Sequence, residues 1–133
     1  MSWNYEQLTG RMLDAAGYVW GVGYSGAGDG KNNPELQNVH NVGPIPVGYY
    51  LIGKPFDSPT HGPYAMPLVP TPDTELFGRS AFLIHGDNVR FPGTASQGCI
   101  ILSRDVRERI WASNDHDLVV TSGNPNQERT LTI

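Results

Sequence analysis

Alternation of bulky and small or polar residues predicts several short β-strands in the first part of the chain. Residues 3–8 and 11–13 flank Thr9-Gly10, a turn signal. In Tyr18–Gly26 every second residue is bulky and apolar, and the residues between are mostly small. This period of two predicts a strand with one packed face, whose small residues let another backbone approach closely.

Further apolar runs predict strands in the rest of the chain. They cover Val47–Ile52, Phe82–His85, Leu118–Thr121 and Arg129–Ile133. The region from Pro55 to Pro72 contains six prolines. Because proline cannot donate to a sheet ladder, this region is predicted to be loop or edge strand.

Two short α-helices are predicted between the strands. Asn33 before Pro34 is an N-cap and first-turn pair, which places a helix over about Pro34–Val39. Ser103 caps a second helix over Arg104–Ala112, in which Val106 and Ile110 share a core face. The pattern therefore predicts a single mostly-β domain over residues 1–133, with two short helices.

Composition and charge exclude several partners. With a net charge of −4 and no basic run, the chain is not expected to bind nucleic acid. No apolar segment approaches the ~20 residues needed to cross a bilayer, so no membrane insertion is expected. The N-terminal residues lack the basic start and apolar stretch of a secretory signal, and we expect synthesis in the cytoplasm without a signal peptide.

The chain holds one cysteine and four histidines. A single cysteine excludes an internal disulfide, and no Cys/His spacing matches a structural zinc site, so neither a metal nor a cofactor is predicted. Cys99 is then either a small buried apolar residue or a reactive thiol. For an arbitrary sequence the first is the commoner case.

His85 and Cys99 have the chemistry of a catalytic pair. His85 ends an apolar strand before Gly86, and Cys99 lies where a long polar loop meets Ile100–Leu102. A cysteine nucleophile needs a base within about 3 Å, since little thiolate forms at neutral pH when the thiol pKa is near 8.5. Backbone N–H groups around Gly98 and Cys99 could stabilise an oxyanion.

The run "HG", a gap, then "SQGCI" resembles the signature of the L,D-transpeptidase catalytic domain, with His85 and Cys99 fourteen positions apart. The segment "GPIPVGYYLIG" resembles the strand that leads toward that family's site. The order of "YEQLTGRM", "GYSG", "KNNP", "FGRSAFLIHGD" and "GTASQGCIIL" is similar to the small type VI secretion effectors with L,D-transpeptidase-like activity. The resemblance implies an L,D-transpeptidase-like β-sandwich or barrel-like sheet.

The resemblance assigns roles to residues near this motif. Cys99 is the implied nucleophile, His85 the general acid–base, and the Gly86 carbonyl the group that orients the imidazole; Asp87 is a neighbouring alternative. Ser96 and Gly98 would shape the turn before Cys99.

One position departs from the family pattern. Gln97 stands where the family usually has a second histidine; it keeps a donor and an acceptor but cannot carry a proton at neutral pH. Tyr49, Arg79 and Arg104 are candidates for substrate or structural roles, and Arg79 could pair with a substrate carboxylate. His40, His61 and His116 lack a motif and are expected at the loop surface, although His61 could border the cleft.

The implied function is a cysteine-dependent enzyme acting on peptidoglycan tetrapeptide stems, by L,D-carboxypeptidase cleavage or exchange, secreted into the periplasm of target bacteria as a type VI toxin. Its implied partners are the stem peptide, a periplasmic immunity protein and a secretion-machine delivery partner. A papain-like peptidase is disfavoured, because that family places its cysteine before its histidine. The alternative is a weak or inactive relative that binds peptidoglycan or is a structural part of a secretion or phage particle. Gln97, in place of the family's second histidine, is the feature that supports this alternative.

Overall fold

The computed structural model of the chain describes residues 1–123, which contain ten strands in one mixed sheet and a single α-helix. The strands are β1 Trp3–Glu6, β2 Arg11–Leu13, β3 Val19–Val22, β4 Tyr24–Ser25, β5 Gly48–Ile52, β6 Phe56–Ser58, β7 Gly62–Pro70, β8 Leu83–His85, β9 Ile100–Ile101 and β10 Asp117–Thr121. The helix, α1, spans Arg104–Ala112, and short 3-10 helices lie at Gly28–Gly30 and Pro34–Leu36. The prediction of a mostly-β fold is confirmed.

The sheet runs in the order β3-β2-β1-β10-β5-β7-β8-β9-β4, and β6 pairs with β7 beside this path. The pairs β1–β10 and β8–β9 are parallel and the others antiparallel. The two end strands, β3 and β4, follow each other in the chain and are separated by Gly23 alone. The ends of the sheet are therefore brought together by the chain itself.

A core of buried apolar side chains fills the space inside this sheet. The largest fully buried ones include Tyr5, Tyr50, Met66 and Ile84, each at 2% exposure or less. Helix α1 packs on β7 and β8 and adds Ile110 to the core. Because β8 runs through the middle of this packing, its last residue, His85, is held in a rigid frame.

Helix α1 forms where the sequence predicts it. The Ser103 hydroxyl accepts the Val106 N–H at 3.4 Å, which caps the first turn. Val106 packs against Gly21, where a Cβ would lie 2.6 Å from a valine methyl group. The predicted boundaries Arg104–Ala112 are confirmed.

The predicted second α-helix is wrong: Pro34–Leu36 is a single 3-10 turn. Asn33 does cap it, since its side chain accepts the Glu35 N–H at 3.1 Å. The turn buries none of its residues, and the carbonyl of Gln37 accepts from the Arg79 side chain. With no apolar face to bury and this carbonyl engaged elsewhere, the helix does not continue.

The strand predicted in Tyr18–Gly26 packs on the face that carries its small residues. The side chains of Tyr18 and Val22 are each 69% exposed, and the strand is broken at Gly23. It is the small face that packs, with Gly21 against α1. The close approach predicted for the small residues is confirmed, because a Cβ on Gly23 would lie 1.7 Å from the Ile101 carbonyl oxygen.

The prediction for the proline-rich region is correct for part of it, since β6 pairs with β7 alone and is an edge strand, and wrong for β7. The region forms β6 and the nine-residue β7, and β7 lies inside the sheet between β5 and β8. Proline is tolerated in β7 because the hydrogen bonds with the neighbouring strands use groups other than the missing proline N–H. The Pro67 carbonyl accepts the Gly53 N–H at 2.7 Å, and the Leu68 N–H donates to the Phe82 carbonyl at 3.0 Å.

The predicted strand Arg129–Ile133 lies outside the described residues. In residues 1–123, α1 is the longest helix, and neither it nor any other is long and apolar enough to cross a membrane.

Candidate active site

His85 ends β8 with its imidazole buried, at 3% exposure. Its Nδ1 lies 2.8 Å from the Gly86 carbonyl oxygen. A carbonyl can only accept, so Nδ1 carries the proton and Nε2 keeps its lone pair. Nε2 is buried without a hydrogen-bond partner in residues 1–123. The lone pair of this nitrogen is therefore free to accept a proton.

Cys99 immediately precedes β9 and is 9% exposed. Its Sγ accepts the backbone N–H of Leu83 at 3.3 Å and lies 3.9 Å from the Ala81 carbonyl oxygen. These contacts fix the sulfur against the β8 backbone.

The pairing of β8 with β9 brings the two residues together. The register aligns Ile84 with Ile100 and His85 with Ile101. Side chains two positions apart share a face of a strand, so His85 and Cys99 point to the same side. A ring nitrogen of His85, one of His61 and the Cys99 sulfur all lie within 4.8 Å of one another.

The surroundings hold both groups of the pair neutral at pH 7. Burial lowers the pKa of His85, and the nearby His61 and Arg107 add to this; the Gly86 hydrogen bond only partly opposes it. Burial raises the pKa of the Cys99 thiol, with partial opposition from the Leu83 N–H and the charge of Arg79. The resting state is thus a thiol beside an uncharged imidazole.

Ser96 and Gly98 form the tight turn that leads into Cys99. The buried Ser96 hydroxyl donates to the Cys99 carbonyl at 2.6 Å and accepts the Gly98 N–H at 3.1 Å. Gly98 has φ +138°, and a Cβ there would lie 2.6 Å from Arg79 Nη2. Ser25, which sequence reasoning missed, donates to the Gly98 carbonyl at 3.0 Å.

Arg79 lies beneath this turn rather than in the cleft. It is 5% exposed and donates to four backbone carbonyls, those of Gln37, Gly43, Pro44 and Gln97. Its guanidinium also lies 5.4 Å from the centroid of the Phe82 ring. The structure therefore places Arg79 as a support for the loop that carries Cys99.

Asp87 and Gln97 line the cleft on the loop between β8 and β9. The Asp87 carboxylate accepts from the Tyr24 hydroxyl at 2.6 Å and from the Asn88 and Gly93 N–H groups at 2.8 and 3.1 Å. Asp87 thus folds its own loop. The Gln97 side chain is exposed, while its backbone carbonyl is held by Arg79.

Tyr49 is not brought to the pair. Its side chain is 57% exposed on β5 and borders a different pocket, near Asp73 and Val119.

Two residues that the sequence motif does not mark contribute to the site. His61 lies on the turn between β6 and β7, with its ring centroid 4.7 Å from that of His85. Arg107, buried in α1, donates to the carbonyls of Pro63 and Tyr64 at 3.0 and 2.9 Å and so fixes the start of β7. The sequence indicated only that His61 could border the cleft, and its contact with His85 follows from the pairing of β6 with β7. Arg107 could have been found from its place on the helix face with Ser103 and Ile110.

The pair opens into a cleft of about 980 Å³. Its lining includes His61, His85, Gln97, Cys99 and Arg104. The Arg104 side chain bonds Glu108 at 2.9 Å and lies over the Tyr64 ring at 4.5 Å. The cleft is large enough for a short peptide and is open to solvent on one side.

The structure places a thiol and an imidazole on one face of two paired strands in a small mostly-β domain, and these are the groups that a cysteine nucleophile and its base require. Comparison with known families identifies the family of the chain. Residues 21–122 match the family described as the Tlde1 domain, so the chain belongs to this family of type VI secretion L,D-transpeptidase effectors. No curated protein and no solved structure gives a significant match.

Proposed function

We propose that this protein removes or exchanges the terminal D-alanine of peptidoglycan tetrapeptide stems, with Cys99 as nucleophile and His85 as general acid–base. Family membership supports an enzymatic effector that acts on peptidoglycan. The observation that carries the residue assignment is the unpartnered Nε2 of buried His85 on the same face as the Cys99 sulfur.

In the first step, His85 Nε2 takes the thiol proton as Sγ attacks the carbonyl carbon of the diaminopimelate residue. A C–S bond forms, and the tetrahedral intermediate carries the charge on its oxygen. When it collapses, the C–N bond to D-alanine breaks and His85 gives its proton to the leaving amine. The enzyme then carries the stem as a thioester and D-alanine has left.

In the second step, water, the amine of a D-amino acid or the side-chain amine of another stem attacks the thioester carbonyl, and His85 takes its proton. The C–S bond then breaks and the proton returns to Sγ, which restores the thiol. Water gives a tripeptide stem, a D-amino acid gives an exchanged stem, and another stem gives a cross-link. The cleft is open to solvent on one side, so we propose that hydrolysis and exchange dominate over cross-linking.

The backbone turn at Cys99 is the proposed oxyanion site. The Gly98 N–H already donates to Ser96, so the proposed donor is the N–H of Cys99 itself. The exposed Gln97 amide lies in the cleft beside it and can donate to the oxyanion or to a substrate carboxylate. Neither contact needs a charge at position 97.

As an effector, the enzyme would deplete the tetrapeptide donors that a recipient cell needs for cross-linking. We propose that it acts in the periplasm of the target after type VI delivery, which its family supports. A delivery partner in the secretion machine and a periplasmic immunity protein that closes the cleft complete the proposal.

The test is incubation of the protein with disaccharide-tetrapeptide, followed by mass spectrometry. We expect the loss of one alanine, no product with Cys99→Ala, and a rate lower by about 10²-fold or more with His85→Ala. His40→Ala is the matched control, because His40 is exposed and bonds the Phe77 carbonyl away from the pair. Unchanged substrate that still binds would instead identify a peptidoglycan-binding module.

A further inference from the structure

His61, His85 and Cys99 form a cluster of three potential metal ligands in the cleft. They come from the β6–β7 turn, the end of β8 and the residue before β9, so their sequence spacing gives no zinc motif. One ligand atom of each lies within 4.8 Å of the other two. Ligands of one tetrahedral Zn²⁺ ion are ~3.5 Å apart, given Zn–N and Zn–S bonds of ~2.0–2.3 Å. The cluster is therefore close to the size that a single ion requires.

The histidines present suitable lone pairs. The Gly86 carbonyl fixes the proton of His85 on Nδ1, which leaves Nε2 bare, buried and unpartnered in residues 1–123. A metal-bound histidine usually donates its other ring N–H to a carbonyl, a carboxylate or water, as His85 does here. His61 Nδ1 lies 2.9 Å from the Thr60 hydroxyl, which can accept its proton and free Nε2 in the same way.

We propose that His61, His85 and Cys99 bind one Zn²⁺ ion, with a solvent molecule in the fourth position. Imidazole nitrogen and thiolate sulfur are the ligands that zinc prefers, and three protein ligands leave the open position typical of a non-structural site. His61 is exposed on a turn, so a small movement of this turn brings its nitrogen to bonding distance.

The charged groups around the cluster have opposite effects on the binding of a cation. The Arg107 guanidinium lies against Gly86, where a Cβ would be 2.8 Å from Nη2, and it disfavours a cation. The Asp87 carboxylate favours one. Because zinc binds cysteine sulfur as thiolate, Cys99 would add a second negative charge beside the ion.

A bound ion would occupy the lone pairs of both Cys99 and His85. Zinc is then a reversible inhibitor of the reaction, a consequence that depends on the proposed function, whereas the binding itself does not.

The test uses the reduced, metal-free full chain titrated with Co²⁺, a spectroscopic substitute for zinc. We expect one ion per chain, an S→Co charge-transfer band in the near ultraviolet, tetrahedral d–d bands, and displacement by Zn²⁺. Cys99→Ser removes the charge-transfer band. His61→Gln weakens Co²⁺ affinity by about tenfold or more, while His40→Gln, the matched histidine outside the cluster, binds as the wild type does.

A missing charge-transfer band, or equal affinity in His61→Gln and wild type, overturns the proposal. Far-ultraviolet circular dichroism checks that His61→Gln is folded, and His61→Ala repeats the comparison. Zinc is also expected to slow alkylation of Cys99 in the wild type more than in His61→Gln. These readouts need no turnover, so a chain that binds cobalt but leaves stem peptides unchanged refutes the proposed function alone.

Discussion

At the scale of single residues, the site holds its reactive groups uncharged until substrate arrives. Burial disfavours the imidazolium of His85 and the thiolate of Cys99, and each has only partial compensation. In the proposed mechanism, the proton therefore moves from sulfur to Nε2 during attack rather than before it. This differs from a site that stores a thiolate–imidazolium pair.

This neutral pair predicts the pH dependence of thiol alkylation. The rate of Cys99 with iodoacetamide under native conditions follows the thiolate fraction. Because burial raises the pKa of Cys99, we expect the rise in rate above the ordinary thiol pKa of about 8.5. The same thiol in urea-denatured protein is the control and rises at the ordinary value. A plateau of high reactivity at about pH 5 to 7 would show a preformed thiolate–imidazolium pair and contradict a neutral Cys99–His85 pair.

The sequence could identify His85 and Cys99 because both lie in one short motif with a recognisable spacing. It could not place His61 against His85, since that contact depends on the turn between β6 and β7, in a region whose prolines suggested a loop. Arg79 was a candidate for a substrate or a structural role, and its guanidinium satisfies backbone carbonyls. The position of an arginine in the sequence does not show whether its guanidinium reaches a substrate or backbone carbonyls.

At the scale of elements, two buried arginines hold the segments on either side of the cleft. Arg79 joins the 37–44 segment to the loop before Cys99, and Arg107 joins α1 to the start of β7. Both donate to backbone carbonyls in every hydrogen bond described for them in residues 1–123. A guanidinium suits this role because its several donors are fixed in one plane.

Arg107→Lys is predicted to destabilise the protein by roughly 2–3 kcal/mol. Lysine keeps the charge but cannot reach the Leu102, Pro63 and Tyr64 carbonyls together, so buried acceptors lose their donors. Urea denaturation measures the change. Arg104→Lys, on the exposed face of the same helix, is the control and should stay within about 0.5 kcal/mol of wild type. Equal effects of the two substitutions would exclude the role given to Arg107.

Most elements followed from local pattern, and the errors have physical causes. Helix α1 was predictable because a cap and an apolar face agree at Ser103, Val106 and Ile110. The pattern at Tyr18–Gly26 predicted one packed face without showing which, and the packed face is the one whose glycines contact α1 and β9. Backbone approach outweighed side-chain hydrophobicity there, and the alternation of residue size does not reveal which side is inside.

At the scale of the whole molecule, the active-site turn depends on how the ends of the sheet meet. Gly23 joins the end strands, donates its N–H to the Gly10 carbonyl at 2.8 Å and lies directly against the Ile101 carbonyl in β9. The next strand, β4, pairs with β9 and carries Ser25, which holds the Gly98 carbonyl. Closure of the sheet and the position of Cys99 are therefore coupled.

Gly23→Ala is predicted to disturb both stability and the site. A Cβ 1.7 Å from the Ile101 oxygen cannot be accommodated unless β4 moves away from β9. We expect a loss of more than about 3 kcal/mol in the free energy of unfolding, and faster native-state alkylation of Cys99 as the Ser25–Gly98 contact loosens. Gly17→Ala is the control: with φ +90° and nothing within 4 Å, it costs only the strain of a left-handed alanine, about 1–2 kcal/mol. If both variants lose the same stability and alkylate Cys99 at the same rate, the sheet ends are not closed against each other at Gly23.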